Sequence, residues 1–372
     1  MENVQTRKHY IDNIRWTTVV LVIVYHIIYM YNSLGIITNL VEPGIPQMDF
    51  LGSLVYPWFM VLLFVVAGMS ARYSLEKRGG KKFAKDRTFK LLIPSIAIIF
   101  TFGWVNGLIT DLEVDMFAAA PVKIPGAIKY IIYCISGIGP LWFAQELYLG
   151  SMLLLLLRKI DKKEKLYQLG GKANIVVLVL LALAVWASSF LFNTPIIEVY
   201  RNGIYLFTFF LGYYVFSHEE VTDRLVKWKW LLLVGAVLAG VGYGLLFYGD
   251  NYTTWFCLNH IVTNVYCWLA VLAIIGCFKA WFNKTNKVAT YMTKANFAFY
   301  VLHYTVMLVF AYLWVRNTEL PLILHYIVPL VATFITLPIL YEIIKRIPVL
   351  RFLIFGMTKP KKKVETKEEK IS

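Results

Sequence analysis

Ten long apolar stretches set the terms on which this chain can fold. They lie near residues 14–32, 50–71, 91–110, 140–158 and 173–193, and again near 202–217, 230–248, 259–282, 296–315 and 323–345. A helix needs roughly 20 such residues to cross about 30 Å of hydrocarbon, where no water is available to satisfy unpaired backbone groups. Each stretch is therefore expected to be a helix. The predicted fold class is all-α, a polytopic integral membrane protein of about ten transmembrane helices. A chain that is 59% hydrophobic and 16% charged is too apolar for an ordinary soluble enzyme. The first apolar run is too long for a removable signal peptide and lacks a small-residue cleavage site.

An even number of spans puts both termini on one side, and the basic residues say which. "RYSLEKRGGKKFAKDRTFK" after the second stretch, "RKIDKKEK" after the fourth and the tail "KPKKKVETKEEK" are crowded with Lys and Arg. The links "NSLGIITNLVEPGIPQMD" and "GDNYTTWFCLNH" contain none. By the positive-inside rule the crowded links, and with them the N- and C-termini, are cytoplasmic. The net charge of +15 is thus a topology signal and an attraction to anionic lipid heads, and no nucleic-acid partner is needed to explain it. The outer link of residues 111–139 contains an apolar piece too short to span, expected to be an interfacial or re-entrant helix. The organisation expected is one membrane domain, 1–358, and a disordered basic cytoplasmic tail, 359–372. Cys134, Cys257, Cys267 and Cys277 show no C-x-x-C spacing, and no metal site is expected.

One ionisable ring interrupts the first stretch, "IRWTTVVLVIVYHIIYMY". Arg15 precedes His26 by eleven residues, and eleven steps of 100° return to within about 20° of the starting direction while rising about 16 Å. Arg15 at the inner membrane edge therefore sits on the same face as His26 near mid-bilayer. Asp12, three residues before Arg15, is placed to orient the guanidinium. Intramembrane ionisable groups are costly and mark function by default, the alternative being a histidine bonded to a neighbouring helix for packing alone. For Arg15 alone, a snorkelling interfacial arginine is the alternative.

This R-x10-H pattern, opened by "YIDNIR", resembles the membrane acyltransferase-3 family of multi-spanning O-acyltransferases. Four further stretches are similar to the family's motifs in the expected order: "PWFMVLLFVVAGMSARYSL", "FAKDRTFKLLIPS", "GPLWFAQEL" and "FAFYVLHYTVML". Together they extend the resemblance over essentially the whole chain, without a fused extracytoplasmic hydrolase-like domain. The chain departs from the pattern at Ala67, where a serine is common; at Lys90, where a second arginine is usual; and at Glu146, a carboxylate one residue later than is often seen.

The resemblance implies transfer of an acyl group from cytoplasmic acyl-coenzyme A to a hydroxyl of an extracytoplasmic or lipid-linked carbohydrate, at the plasma membrane. The donor is expected to be acetyl-CoA, with succinyl as the alternative. Coenzyme A phosphates call for cations at the inner edge, and motif agreement selects Arg15, Arg87 and Lys90 as donor-binding residues. A hydroxyl is a poor nucleophile near neutral pH, so a positioned base is needed. His26 is the expected base or, alternatively, a covalent acyl relay, with Glu146 and His303 as further catalytic candidates and Trp142 and Tyr300 as substrate-binding ones. Threading puts Glu146 and His303 at depths that bracket His26. A transporter or flippase for a lipid-linked or charged solute is the rival reading, since buried His and Glu also serve proton relays. No inverted repeat or matched pair of broken helices favours it.

Overall fold

The computed structural model describes residues 7–192, 201–315 and 318–358. Among these residues the structure is helical and contains no strand. In chain order the helices are α1 (His9–Met30), α2 (Pro46–Arg87), α3 (Ile93–Ile98), α4 (Trp104–Val114), α5 (Gly126–Ser136), α6 (Trp142–Ile160), α7 (Lys165–Gly171), α8 (Ile175–Ser188) and α9 (Asn202–Leu211). They continue with α10 (Glu219–Lys227), α11 (Lys229–Leu246), α12 (Trp255–Asn259), α13 (Ile261–Trp281), α14 (Lys287–Val315), α15 (Leu322–Ile344) and α16 (Pro348–Phe355). The expected tail, 359–372, lies outside the described residues.

Helix α1 is apolar on nearly every side, and such a helix belongs in the middle of a bundle. It divides the core in two. Tyr10, Ile14, Val22 and Tyr25 face one cluster, built on α2, α6, α8, α9 and α13. Val19, Ile23, Ile27 and Tyr31 face the other, built on α14, α15 and their neighbours. His26 of α1 is held between the two, with Tyr25 on one side and His303 on the other.

Where α2 meets α9, Gly68 and Gly212 let two backbones touch. A Cβ on Gly68 would lie 2.0 Å from the Phe209 carbonyl oxygen, and one on Gly212 would lie 2.0 Å from that of Val65. Packing through small residues is how helices associate where lipid removes the hydrophobic drive.

Seven helices among the described residues are long and apolar enough to cross a membrane, so length and composition do not reach the expected ten. The reasons are local. The expected spans 50–71 and 91–110 fall in one helical run, Pro46–Val114, interrupted at Gly79 (φ 70°). Those at 173–193 and 202–217 correspond to the shorter helices Ile175–Ser188 and Asn202–Phe216, the first of 14 residues and so only about 21 Å long. The apolar piece of the 111–139 link forms α5, 11 residues that return against α4. The start of α1 and the segment 356–358 meet at one end of the molecule, where Arg15 and Thr358 line the same cavity.

Candidate active site

His26 of α1 and His303 of α14 touch across the seam between the two core clusters. His303 Nε2 is 3.1 Å from His26 Nδ1. His26 Nδ1 is also 2.8 Å from the Val22 carbonyl, and His303 Nδ1 is 2.7 Å from that of Tyr300. A carbonyl oxygen can only accept, so both Nδ1 atoms carry the proton in the neutral pair. His303 Nε2 is then a lone pair facing the His26 Nδ1–H, which it shares with Val22. The assignment leaves the His26 Nε2 lone pair uncommitted, and no hydrogen-bond partner for it exists among the described residues. His303 is fully buried, whereas His26 keeps some exposed surface.

The surroundings fix both rings. The Tyr304 ring meets His26 edge-on at 5.1 Å, and its hydroxyl donates to Asn39 Oδ1. Asn39 in turn donates to Thr110 Oγ1 at 2.6 Å, which ties the α1–α2 link to α4. One turn before Tyr304, the Tyr300 hydroxyl donates to the Pro140 carbonyl in the turn that leads into α6. On the other flank Tyr25 packs edge-on to His26 at 5.4 Å and accepts from Tyr252 at 3.3 Å.

A cavity of about 690 Å3 opens at the basic end and runs between α1, α2, α6 and α14. Arg15, Arg78, Arg87 and Lys90 line it on the basic side. Arg15 donates to Ser70 Oγ and lies 3.5 Å from Asp12, as the i,i+3 spacing predicts. Arg78 is held by Asp86 at 2.5 Å. Arg87 lies over the Phe83 ring at 4.8 Å, and neither it nor Lys90 has a carboxylate partner among the described residues. The turn that carries Lys90, Thr88–Leu92, is a π-helical one. Such bulges are frequent at functional sites.

The sequence-predicted residues thus fall into three groups. Arg15, Arg87, Lys90 and Tyr300 line one cavity. His26 and His303 form a pair just past Tyr300 and are not part of its lining. Glu146 and Trp142 are not brought into it either: α6 presents Phe143 and Leu147 to the cavity instead. Trp142 packs on Tyr205 at 5.1 Å, and Glu146, one turn on, is 2% exposed with Oε1 unpartnered. Sequence reasoning missed Phe143, Ser70, Tyr304 and Asn39. Tyr304 could have been found as the residue one turn beyond Tyr300 and next to His303. Among the described residues no group of three or more His, Cys, Asp or Glu side chains is placed to hold a metal.

The constellation pairs a neutral base with a cationic cavity reached from the basic end. It suits recognition of a phosphorylated donor and removal of a proton from a hydroxyl. A family model described as an acyltransferase domain matches residues 8–356. No curated protein and no solved structure matches the chain.

Proposed function

We propose, from the premise that the chain belongs to the acyltransferase-3 family, that this membrane enzyme moves an acyl group from cytoplasmic acyl-CoA to a hydroxyl of an extracytoplasmic or lipid-linked carbohydrate at the plasma membrane. The observation that carries the reading is the His26–His303 pair standing next to a cavity lined by four cations.

Arg15, Arg87 and Lys90 take the donor's phosphates, with Arg87 and Lys90 in no ion pair among the described residues. The acyl arm follows the apolar wall toward Tyr300. His26 Nε2 removes the acceptor hydroxyl's proton as its oxygen attacks the thioester carbon. The tetrahedral intermediate collapses with cleavage of the C–S bond, and the departing thiolate recovers the proton from the His26 imidazolium. The lone pair of His303 Nε2 opposite His26 Nδ1–H stabilises that imidazolium, as an acceptor behind a catalytic imidazole does.

The test is acyl transfer in proteoliposomes loaded with carbohydrate acceptor, with labelled acyl-CoA outside. Free coenzyme A and a labelled, ester-linked carbohydrate are expected. Wild-type activity in a correctly inserted His26→Ala variant overturns the role of His26. Solute movement without release of coenzyme A favours a transporter instead.

A further inference from the structure

His26 and His303 are not in the cavity's lining, and the lining ring next to them is Tyr300, against which Phe143 packs. Val19, Leu63, Ala67, Leu147, Phe143 and Tyr300 give the cavity an apolar lining, to which Ser70, Thr293 and Asn296 add polar groups. Phe143 and Tyr300 meet edge-on at 5.5 Å. The backbone carbonyl of Tyr300 accepts the His303 Nδ1–H, so the histidine pair begins directly behind this partition.

The two rings are held differently. Tyr300 is 3% exposed, its hydroxyl is bound to the Pro140 carbonyl and its backbone carbonyl to His303. Swinging its ring away would break the first bond. Phe143 is only partly buried and has no polar anchor; its further ring contacts are with Phe64 at 4.8 Å and Trp142 at 6.3 Å. A phenyl ring turning about χ1 and χ2 between staggered wells is the cheaper movement.

Accepting the acyl-CoA reading above, we infer that Phe143 is the residue that determines which acyl groups reach His26, and that it admits small uncharged ones. The thioester must pass where Phe143 stands, so the passage is no wider than the ring that yields. The residues lining the cavity beside Phe143 and Tyr300 offer neutral polar groups such as Asn296 but no cation, and a carboxylate-bearing acyl group such as succinyl would be stripped of water there without a charged partner. Of the two donors the sequence leaves open, acetyl fits and succinyl does not.

The experiment compares transfer from acetyl-, propionyl-, hexanoyl- and succinyl-CoA by the wild type, Phe143→Ala, Phe143→Leu and Phe143→Trp in proteoliposomes, scoring hydrolysis without acceptor alongside. The wild type should prefer acetyl. Phe143→Ala should raise the hexanoyl-to-acetyl ratio by about tenfold or more, the scale on which a pocket discriminates added methylenes, and should raise hydrolysis. Phe143→Trp should depress acetyl transfer by a similar factor while leaving the donor KM in place. Should Phe143→Ala fail to fold, Phe143→Leu and Phe143→Trp carry the test in opposite directions. A wild type that prefers succinyl, or variants that all keep the wild-type chain-length profile and hydrolysis ratio, overturn the inference. A wild type that transfers no acyl group from any acyl-CoA overturns the acyl-transfer reading and this inference with it.

Discussion

His303 Nε2 lies 3.1 Å from His26 Nδ1, although the two residues are 277 positions apart in the chain. Their backbone contacts assign the tautomers: the His26 Nε2 lone pair is left over, which the proposed reaction uses as the base, and His303 Nε2 stands behind His26 as acceptor. His26→Ala should therefore lower kcat by at least about 100-fold, the usual contribution of a general base. His303→Leu should lower kcat on the order of tenfold with the donor KM unchanged, since it acts through His26. His303→Gln, whose amide oxygen can still accept, should recover part of the loss. Steady-state kinetics that separate kcat from KM check all three.

Arg87 and Lys90 face the cavity without carboxylate partners among the described residues, so their charge is available to a ligand. Arg87→Ala should raise the acyl-CoA KM by about tenfold or more, as loss of a charge-assisted hydrogen bond does. Lys90→Arg should lower it, because a guanidinium fork grips a phosphate where an ammonium offers a point charge. Acyl-pantetheine, which has the same thioester but no phosphate, should show neither effect.

On the basic side Arg72 fastens the α6–α7 link. Its guanidinium donates to Glu164 at 2.8 and 3.1 Å and to Glu76 at 2.7 Å, and it stacks 3.7 Å over the Tyr167 ring. The bond from Arg72 holds the Glu164 carboxyl below its ordinary range. A depressed folded pKa stabilises the fold above the unfolded carboxylate's value and is lost as pH falls through the folded one. Glu164→Gln should thus lower Tm at pH 7, and the gap to wild type should close in acid. Because the Glu164 side chain is 37% exposed, the cost is no more than about 1 kcal/mol. Melting curves in detergent over a pH series measure it.

The spacing of Arg15 and His26 already placed a cation and a base on one face of one helix, because 3.6 residues per turn is a property of the chain itself. The motif around His303 was legible in the same way. What periodicity cannot give is the rotation of a helix about its own axis against its neighbours. That rotation turns Phe143 and Leu147 of α6 to the cavity and leaves Trp142 and Glu146 on another face. Asn39 meets Tyr304 from a link with no period at all, 265 residues away. The span count stays open for a related reason: by length and composition seven helices among the described residues qualify, with two expected spans merged in Pro46–Val114 and two others folded as shorter apolar helices.

The far end of the chain supplies the last test of the cavity. Gly356 follows α16 with φ +61°, a conformation that residues with a Cβ rarely adopt. A Cβ there would also lie 2.1 Å from the Phe89 carbonyl oxygen and 2.7 Å from Lys90 Cα. Both contacts are backbone of the π turn that carries Lys90, so nothing flexible can give way. Gly356→Ala must move either the 356–358 segment or that turn, at a cost on the order of 1–3 kcal/mol from strain and overpacking. If the turn moves, Lys90 moves with it. The expected outcome is a lower Tm together with a raised acyl-CoA KM and a kcat close to wild type, because the histidine pair lies at the cavity's opposite end. A fall in kcat at unchanged KM would show instead that the segment is coupled to the base and not to the donor's phosphates.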